Sequence, residues 1–195
     1  MSASFRAPFR QVGHRLLTVL VLAGVGLLTT SCAQAQSEAP AETAPALEGG
    51  EAAPGVAWMG FEAAVQSAAD QQKPLIIDIY APWCGWCTRL QNDVYMSEPI
   101  QAYLDEHFVT TRLDIDAKDT SYQFREYNLT SPELAGGLGA QGTPTTVFLT
   151  AEAEYITRIP GYVDAEAFLN ILEFIGTESF KSQTYEEFVE AKDGE

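Results

Sequence analysis

Apolar positions recur with two different periods along the chain, and the switches between them mark out its elements. Over residues 61–72, Phe61, Ala64, Val65 and Ala68 share one face of a 3.6-residue period, which predicts an amphipathic helix that Pro74 ends. Leu75–Tyr80 (LIIDIY) is a short, nearly continuous apolar run rich in β-branched residues, the pattern of a buried central strand. Helix is expected from Cys84 to about Met96 and again over 100–107, while 108–115 alternates as a strand. Strand, helix, strand is the parallel crossover unit. Residues 121–127 read as helical and 131–138 as a further turn before a glycine-rich stretch over 136–142. The segments 145–150 and 154–159 read as a hairpin. Asp164 is placed to cap a helix over 165–175, with Phe168, Leu169, Ile171, Leu172 and Ile175 turned to the sheet. The order is α, β, α, β, α, β, β, α, and residues 177–195 add an acidic amphipathic helix with Tyr185, Phe188 and Val189 as its apolar contacts.

The front of the chain has a different grammar. Arg6, Arg10 and Arg15 precede an apolar run over 16–28, followed by small and polar residues, which is the order of a bacterial-type secretory signal. A spanning helix needs roughly 20 apolar residues, more than this run supplies. Two cleavage sites compete. Leu28-Thr29-Thr30-Ser31-Cys32 resembles a lipobox, in which cleavage leaves a lipid-bearing cysteine, although Thr29 stands where an aliphatic residue is usual. Ala33-Gln34-Ala35 satisfies the small-x-small rule of ordinary cleavage. The division expected is a signal over 1–31, a flexible Ala/Pro/Glu-rich linker over 32–57, one domain over 58–176 and an acidic tail over 177–195.

Charge narrows the partners. The 195 residues include 27 acidic and 11 basic ones, a formal net charge of -16, which argues against a nucleic-acid partner. Cleavage before Cys32 removes three arginines and no acid, leaving 8 basic residues against 27 acidic ones, or -19. Such a surface repels anionic lipid, so membrane attachment is expected only through a lipid on Cys32.

Three cysteines cannot all pair, and Cys84 and Cys87 stand apart from Cys32 as a close couple. A Cys-x-x-Cys pair at a helix start has a defined chemistry. Unpaired N–H groups of the first turn stabilise a thiolate at Cys84, which attacks a disulfide, and Cys87 resolves the mixed disulfide. Trp83 and Trp86 flank the pair as apolar surface for a peptide. Two other readings stay open at this point. A zinc site would draw on Cys84, Cys87 and His107, which falls short of the usual four ligands, and a purely structural disulfide would close a loop too small to stabilise much.

The stretch from Lys73 through Trp83-Cys84-Gly85-Trp86-Cys87 closely resembles the thioredoxin superfamily. The WCGWC form is most similar to the secreted branch that includes the C-terminal periplasmic domain of the thiol:disulfide interchange membrane reductase. The resemblance implies an α/β thioredoxin fold, a central mixed β-sheet flanked by helices. It implies that Cys84 and Cys87 attack and resolve, and that Asp78 is a buried carboxylate exchanging a proton with Cys87. It further implies that Thr143-Pro144 is a cis-proline loop against the cysteine pair and that Trp83, Gly85, Trp86, Thr143 and Pro144 contact substrate. Gly161 matches a glycine permitting close approach. Arg112 stands where the family often has lysine, either beside Asp78 or facing solvent. Trp86 departs from cytoplasmic thioredoxins, which have proline there, as does a longer segment over 128–141.

The implied activity is extracytoplasmic thiol-disulfide exchange with cysteines of exported proteins, reductive in direction, with the chain's own dithiol as its redox group and no further cofactor or metal. Electrons would come from a membrane thiol reductase. The alternative from another class is a thioredoxin-fold module that binds a partner protein or a metal ion without turnover.

Overall fold

The computed structural model describes residues 55–194. The expected export signal, Cys32 and nearly all of the linker lie outside the described residues. Helix α1 (Phe61–Gln71) buries Phe61, Ala64 and Ala68, and Gln72 closes it in the left-handed region at φ 53°. Strand β1 (Leu75–Tyr80) leads to α2 (Gly85–Leu90), which continues as a π-helical turn over Gln91–Tyr95. Then follow α3 (Glu98–His107), β2 (Val109–Asp114), β3 (Ser121–Phe124), β4 (Tyr127–Thr130) and α4 (Ser131–Gly137). Strands β5 (Thr145–Leu149) and β6 (Tyr155–Pro160), helix α5 (Ala165–Gly176), a 3-10 turn (Ser179–Lys181) and α6 (Tyr185–Asp193) complete the chain.

The main sheet runs β2-β1-β5-β6. Strand β1 is parallel to β2 and antiparallel to β5, and β5 is antiparallel to β6, so the sheet is mixed and β1 is interior. Both faces of β1 are covered, which is why its sequence reads as an unbroken apolar run rather than an alternation. Leu75, Ile77 and Ile79 pack in one layer with Phe61, Ala64 and Ala68 of α1. Ile76 packs in the other with Leu90, Val94, Tyr95, Phe148, Phe168 and Leu172. By the two-residue period of a strand, Asp78 shares the Ile76 face.

Residues 121–127, expected as helix, form strand instead. Tyr122 pairs with Leu129 and Phe124 with Tyr127 across a two-stranded antiparallel hairpin whose turn holds Arg125 at φ 56°. Tertiary contact decides this local choice: Tyr122 and Phe124, two residues apart, lie on one side and both meet Phe61 edge-on, with ring centroids 5.4 and 5.6 Å away.

Val56, assigned above to the linker, is buried in the core beside the described start of the chain. The backbone there is latched to the outer edge of β2. Met59 N–H donates to Thr110 O at 3.0 Å, Thr110 Oγ1 to Ala57 O at 2.9 Å and Thr111 Oγ1 to Met59 O at 2.8 Å. At the other end, Phe174 of α5 gathers Tyr185 and Phe188 of α6 at centroid distances of 5.5 and 5.4 Å. No helix among the described residues is long and apolar enough to cross a membrane.

Candidate active site

The chain leaves β1 through Ala81-Pro82-Trp83, and Cys84 occupies the N-cap of α2. The turn is closed by Cys84 N–H donating to Ala81 O at 3.0 Å. Cys84 Sγ accepts the backbone N–H of Cys87 at 3.1 Å, taking up one of the first-turn donors that a helix leaves unpaired. The two cysteines are joined in a disulfide with Cα atoms 5.2 Å apart. Both are nearly covered, at 6% and 5% exposure, and pack against Ala81, Tyr80 and Ile115.

The flanking tryptophans are the opposite: Trp83 is 70% exposed and Trp86 56%. Neither ring is loose. Trp83 Nε1 donates to Asp116 Oδ2 at 2.6 Å, just beyond the end of β2. Trp86 meets Tyr162 at a centroid distance of 5.6 Å, and the Arg89 guanidinium lies 5.3 Å from the Trp86 ring and 5.1 Å from that of Tyr162. Asp93 completes the cluster, accepting from Arg89 Nε at 3.0 Å and from the Tyr162 hydroxyl at 3.4 Å. Arg89 is three residues from Trp86 on one helix, a spacing visible in the sequence; Asp116 and Tyr162 are brought in by the fold alone.

The Thr143-Pro144 peptide bond is cis. Its loop is fastened by Thr145 Oγ1 donating to Gly142 O at 2.7 Å and Gly161 N–H donating to Pro144 O at 2.8 Å. Gly161 has φ +82°, a conformation that favours glycine. Thr143 and Gly142 line two open hollows: one of about 300 Å³ shared with Pro144, Pro160 and Gly161, and one of about 350 Å³ shared with Ile115 and Asp116. Asp116 thus connects the cis-proline side of the surface to Trp83.

Beneath this surface lies a charged pair. Asp78 is 2% exposed, and Arg112, its neighbour in register on β2, directs Nε at 2.9 Å and Nη2 at 2.8 Å to the same oxygen, Oδ2. Arg112 therefore does not face solvent; its side chain is 14% exposed. Burial pushes the proton affinity of Asp78 above the ordinary carboxylate range, outweighing the opposite pull of Arg112. Tyr95 lies close enough to feel that carboxylate: burial and the charge of Asp78 push its phenol well up, so it stays a neutral hydroxyl, 3.4 Å from Thr146 Oγ1. His107, weighed above as a metal ligand, lies with its ring centroid 4.2 Å from that of Tyr103, the planes tilted by 37°.

The thioredoxin-like domain family matches residues 61–176. The chain belongs to the thioredoxin-like family. The disulfide bond reductase DsbH of Chlamydia pneumoniae is 26% identical over 141 residues, which cover 70% of this chain and 81% of that protein. The thiol:disulfide interchange protein DsbD of Actinobacillus pleuropneumoniae is 29% identical over 106 residues, 53% of this chain but only 16% of that much longer relative. A thioredoxin-fold protein from Helicobacter pylori superposes with a TM-score of 0.58 at 21% identity, covering 69% of this chain and 99% of its own, which shows the shared fold. The thioredoxin fold, the relatives and the Cys84–Cys87 pair together establish thiol-disulfide redox function. The thioredoxin-like match begins at residue 61, so the segment latched along β2, with Trp58 in it, lies outside the matched region.

Proposed function

We propose that this protein is an exported reductase of disulfides in other extracytoplasmic proteins. The observation that carries the reading is the position of Cys84: N-cap of α2, its sulfur already accepting a helix N–H, set between two exposed tryptophans. In the reduced protein that N–H and the helix dipole favour a thiolate at Cys84. The thiolate attacks one sulfur of a client disulfide; the client S–S bond breaks, its other sulfur leaves as a thiolate, and a mixed disulfide to Cys84 forms. Asp78 then accepts the Cys87 thiol proton, the Cys87 thiolate attacks Cys84 Sγ, and the second client sulfur leaves. The client gains two electrons and, once protonated, two thiols; Cys84 and Cys87 end as the disulfide. Trp83, Gly85, Trp86, Thr143 and Pro144 hold the client segment.

The reductive direction is supported by the likeness to the disulfide bond reductase DsbH, most of whose length is covered. The dithiol is the only redox group the cycle requires, and a membrane thiol reductase would return two electrons to it, as the likeness to the interchange protein suggests. The signal pattern and Cys32 support export and a lipid anchor. Mass spectrometry of the mature protein should find a diacylated N-terminal Cys32; a chain starting at Gln36 overturns the anchor.

The test is a Cys87→Ser variant expressed in an exporting host. It should accumulate mixed disulfides to client proteins through Cys84, released by reductant and absent when Cys84→Ser is added. A gel showing none overturns the assignment. Equilibration of the wild-type pair with glutathione should place its potential below about -220 mV, and a value near -120 mV overturns the reductive direction.

A further inference from the structure

Arg112 is gripped on more than its carboxylate side. Its guanidinium carbon lies 4.1 Å from the centre of the Tyr80 ring and 5.1 Å from that of Trp58. Trp58 meets Tyr95 edge-on at a centroid distance of 5.1 Å, and the indole Nε1 is buried without a hydrogen-bond partner among the described residues. No hydrogen bond of its own therefore holds this ring; its contacts are those of its faces and edges. The latch of residues 56–59 along β2 sets where the ring sits, since Thr110 and Thr111 receive that backbone immediately before Arg112 in the strand.

We propose that Trp58 is a positioning residue, whose ring holds Arg112 against Asp78 and thereby fixes the pH at which that carboxyl takes up a proton during thiol exchange. The inference rests on the role given to Asp78 above. A guanidinium against an aromatic face is attracted by the ring's negative quadrupole, more strongly when water is excluded. An Arg112 deprived of one ring samples positions away from Oδ2, and the charged carboxylate loses part of its compensation. Among the described residues, Arg112 from β2 is the cation against Asp78, Tyr95 from the π-helical turn is titratable but stays neutral, Thr146, its register neighbour on β5, is uncharged, and Tyr80, two residues on along β1 and on the same strand face, lies with its ring against Arg112. By the reading above, the Cys87 thiol of α2 is a further titratable partner.

The experiment follows the ¹³C carboxyl signal of Asp78 against pH in the reduced full-length protein. Trp58→Leu should move the Asp78 midpoint up by about half a pH unit. Trp58→Phe, which keeps a ring face and drops Nε1, should leave the midpoint in place, and in an Arg112→Met background Trp58→Leu should have no effect. Should Trp58→Leu fail to fold, site-specific incorporation of multiply fluorinated tryptophan at position 58 alone, which keeps the ring but weakens its negative face, should give the same upward movement. An unmoved or lowered midpoint, an equal shift in the Arg112→Met background, or a Phe variant behaving like Leu each overturns the proposal. Exchange rates measured beside the titration separate the two readings. If the rates ignore Asp78's titration while its midpoint depends on Trp58 as stated, the proton-transfer role fails and the clamp stands.

Discussion

Arg112 points two nitrogens at one oxygen of Asp78, and the other oxygen, Oδ1, is buried with no hydrogen-bond partner among the described residues. The pair is thus half-satisfied. Breaking both lone-pair sets out of water costs more than one fork of donors restores, which is why burial dominates and the carboxyl holds its proton above the usual range.

This has a consequence for stability. A carboxyl with higher proton affinity folded than unfolded contributes stability fully present below its unfolded value, near 4, and lost as pH rises through the folded value. The wild-type melting temperature should therefore carry a downward component as pH rises above about 4 that Asp78→Asn lacks. Thermal unfolding followed from pH 4 to pH 8 should show the variant gaining on wild type as pH rises. A variant that loses ground over that interval contradicts the sign.

Trp83 is held by a single side-chain hydrogen bond, to Asp116, while most of its ring faces solvent. Removing the acceptor frees an exposed ring that a client must then reorder. Asp116→Ala should raise KM for a disulfide-bearing peptide about fivefold, the equivalent of roughly 1 kcal/mol, and leave kcat within a factor of two. A fall in kcat without a change in KM would place Asp116 in the chemistry instead.

Phe174 ties α6 to α5 through Tyr185 and Phe188 and also meets Phe180 of the intervening turn at a centroid distance of 6.5 Å. Phe174→Ala should cost about 3 kcal/mol in urea unfolding, by lost burial and ring contacts. The rate of insulin-disulfide reduction in native buffer should stay unchanged, because none of these rings is part of the disulfide's surroundings; a parallel loss of rate contradicts a purely structural role.

Much of the site was legible because its signals are local. The Cys84–Cys87 spacing at a helix start, the carboxylate inside an apolar strand and the tripeptide around Pro144 each sit within a few consecutive residues. Asp116 under Trp83, Tyr162 beside Trp86 and Trp58 over Arg112 were not legible, since each pair is separated by tens of residues and meets only when β2, the cis-proline side and the edge latch are assembled. The β3–β4 hairpin is hidden from local periodicity for the same reason. Its Tyr122 and Phe124 suit either element over so short a span, and contact with Phe61 selected the strand.

The sequence by itself determined the succession of most elements, the cysteine chemistry and the family resemblance, because periodicity, capping and short motifs are properties of neighbouring residues. The tertiary structure decided what surrounds the chemistry: that Arg112 turns inward to Asp78 rather than out to water, and that aromatic rings close over it. The physical reason is that proton affinity and ring contact depend on burial and on distances across strands, quantities that come into being only when the sheet forms.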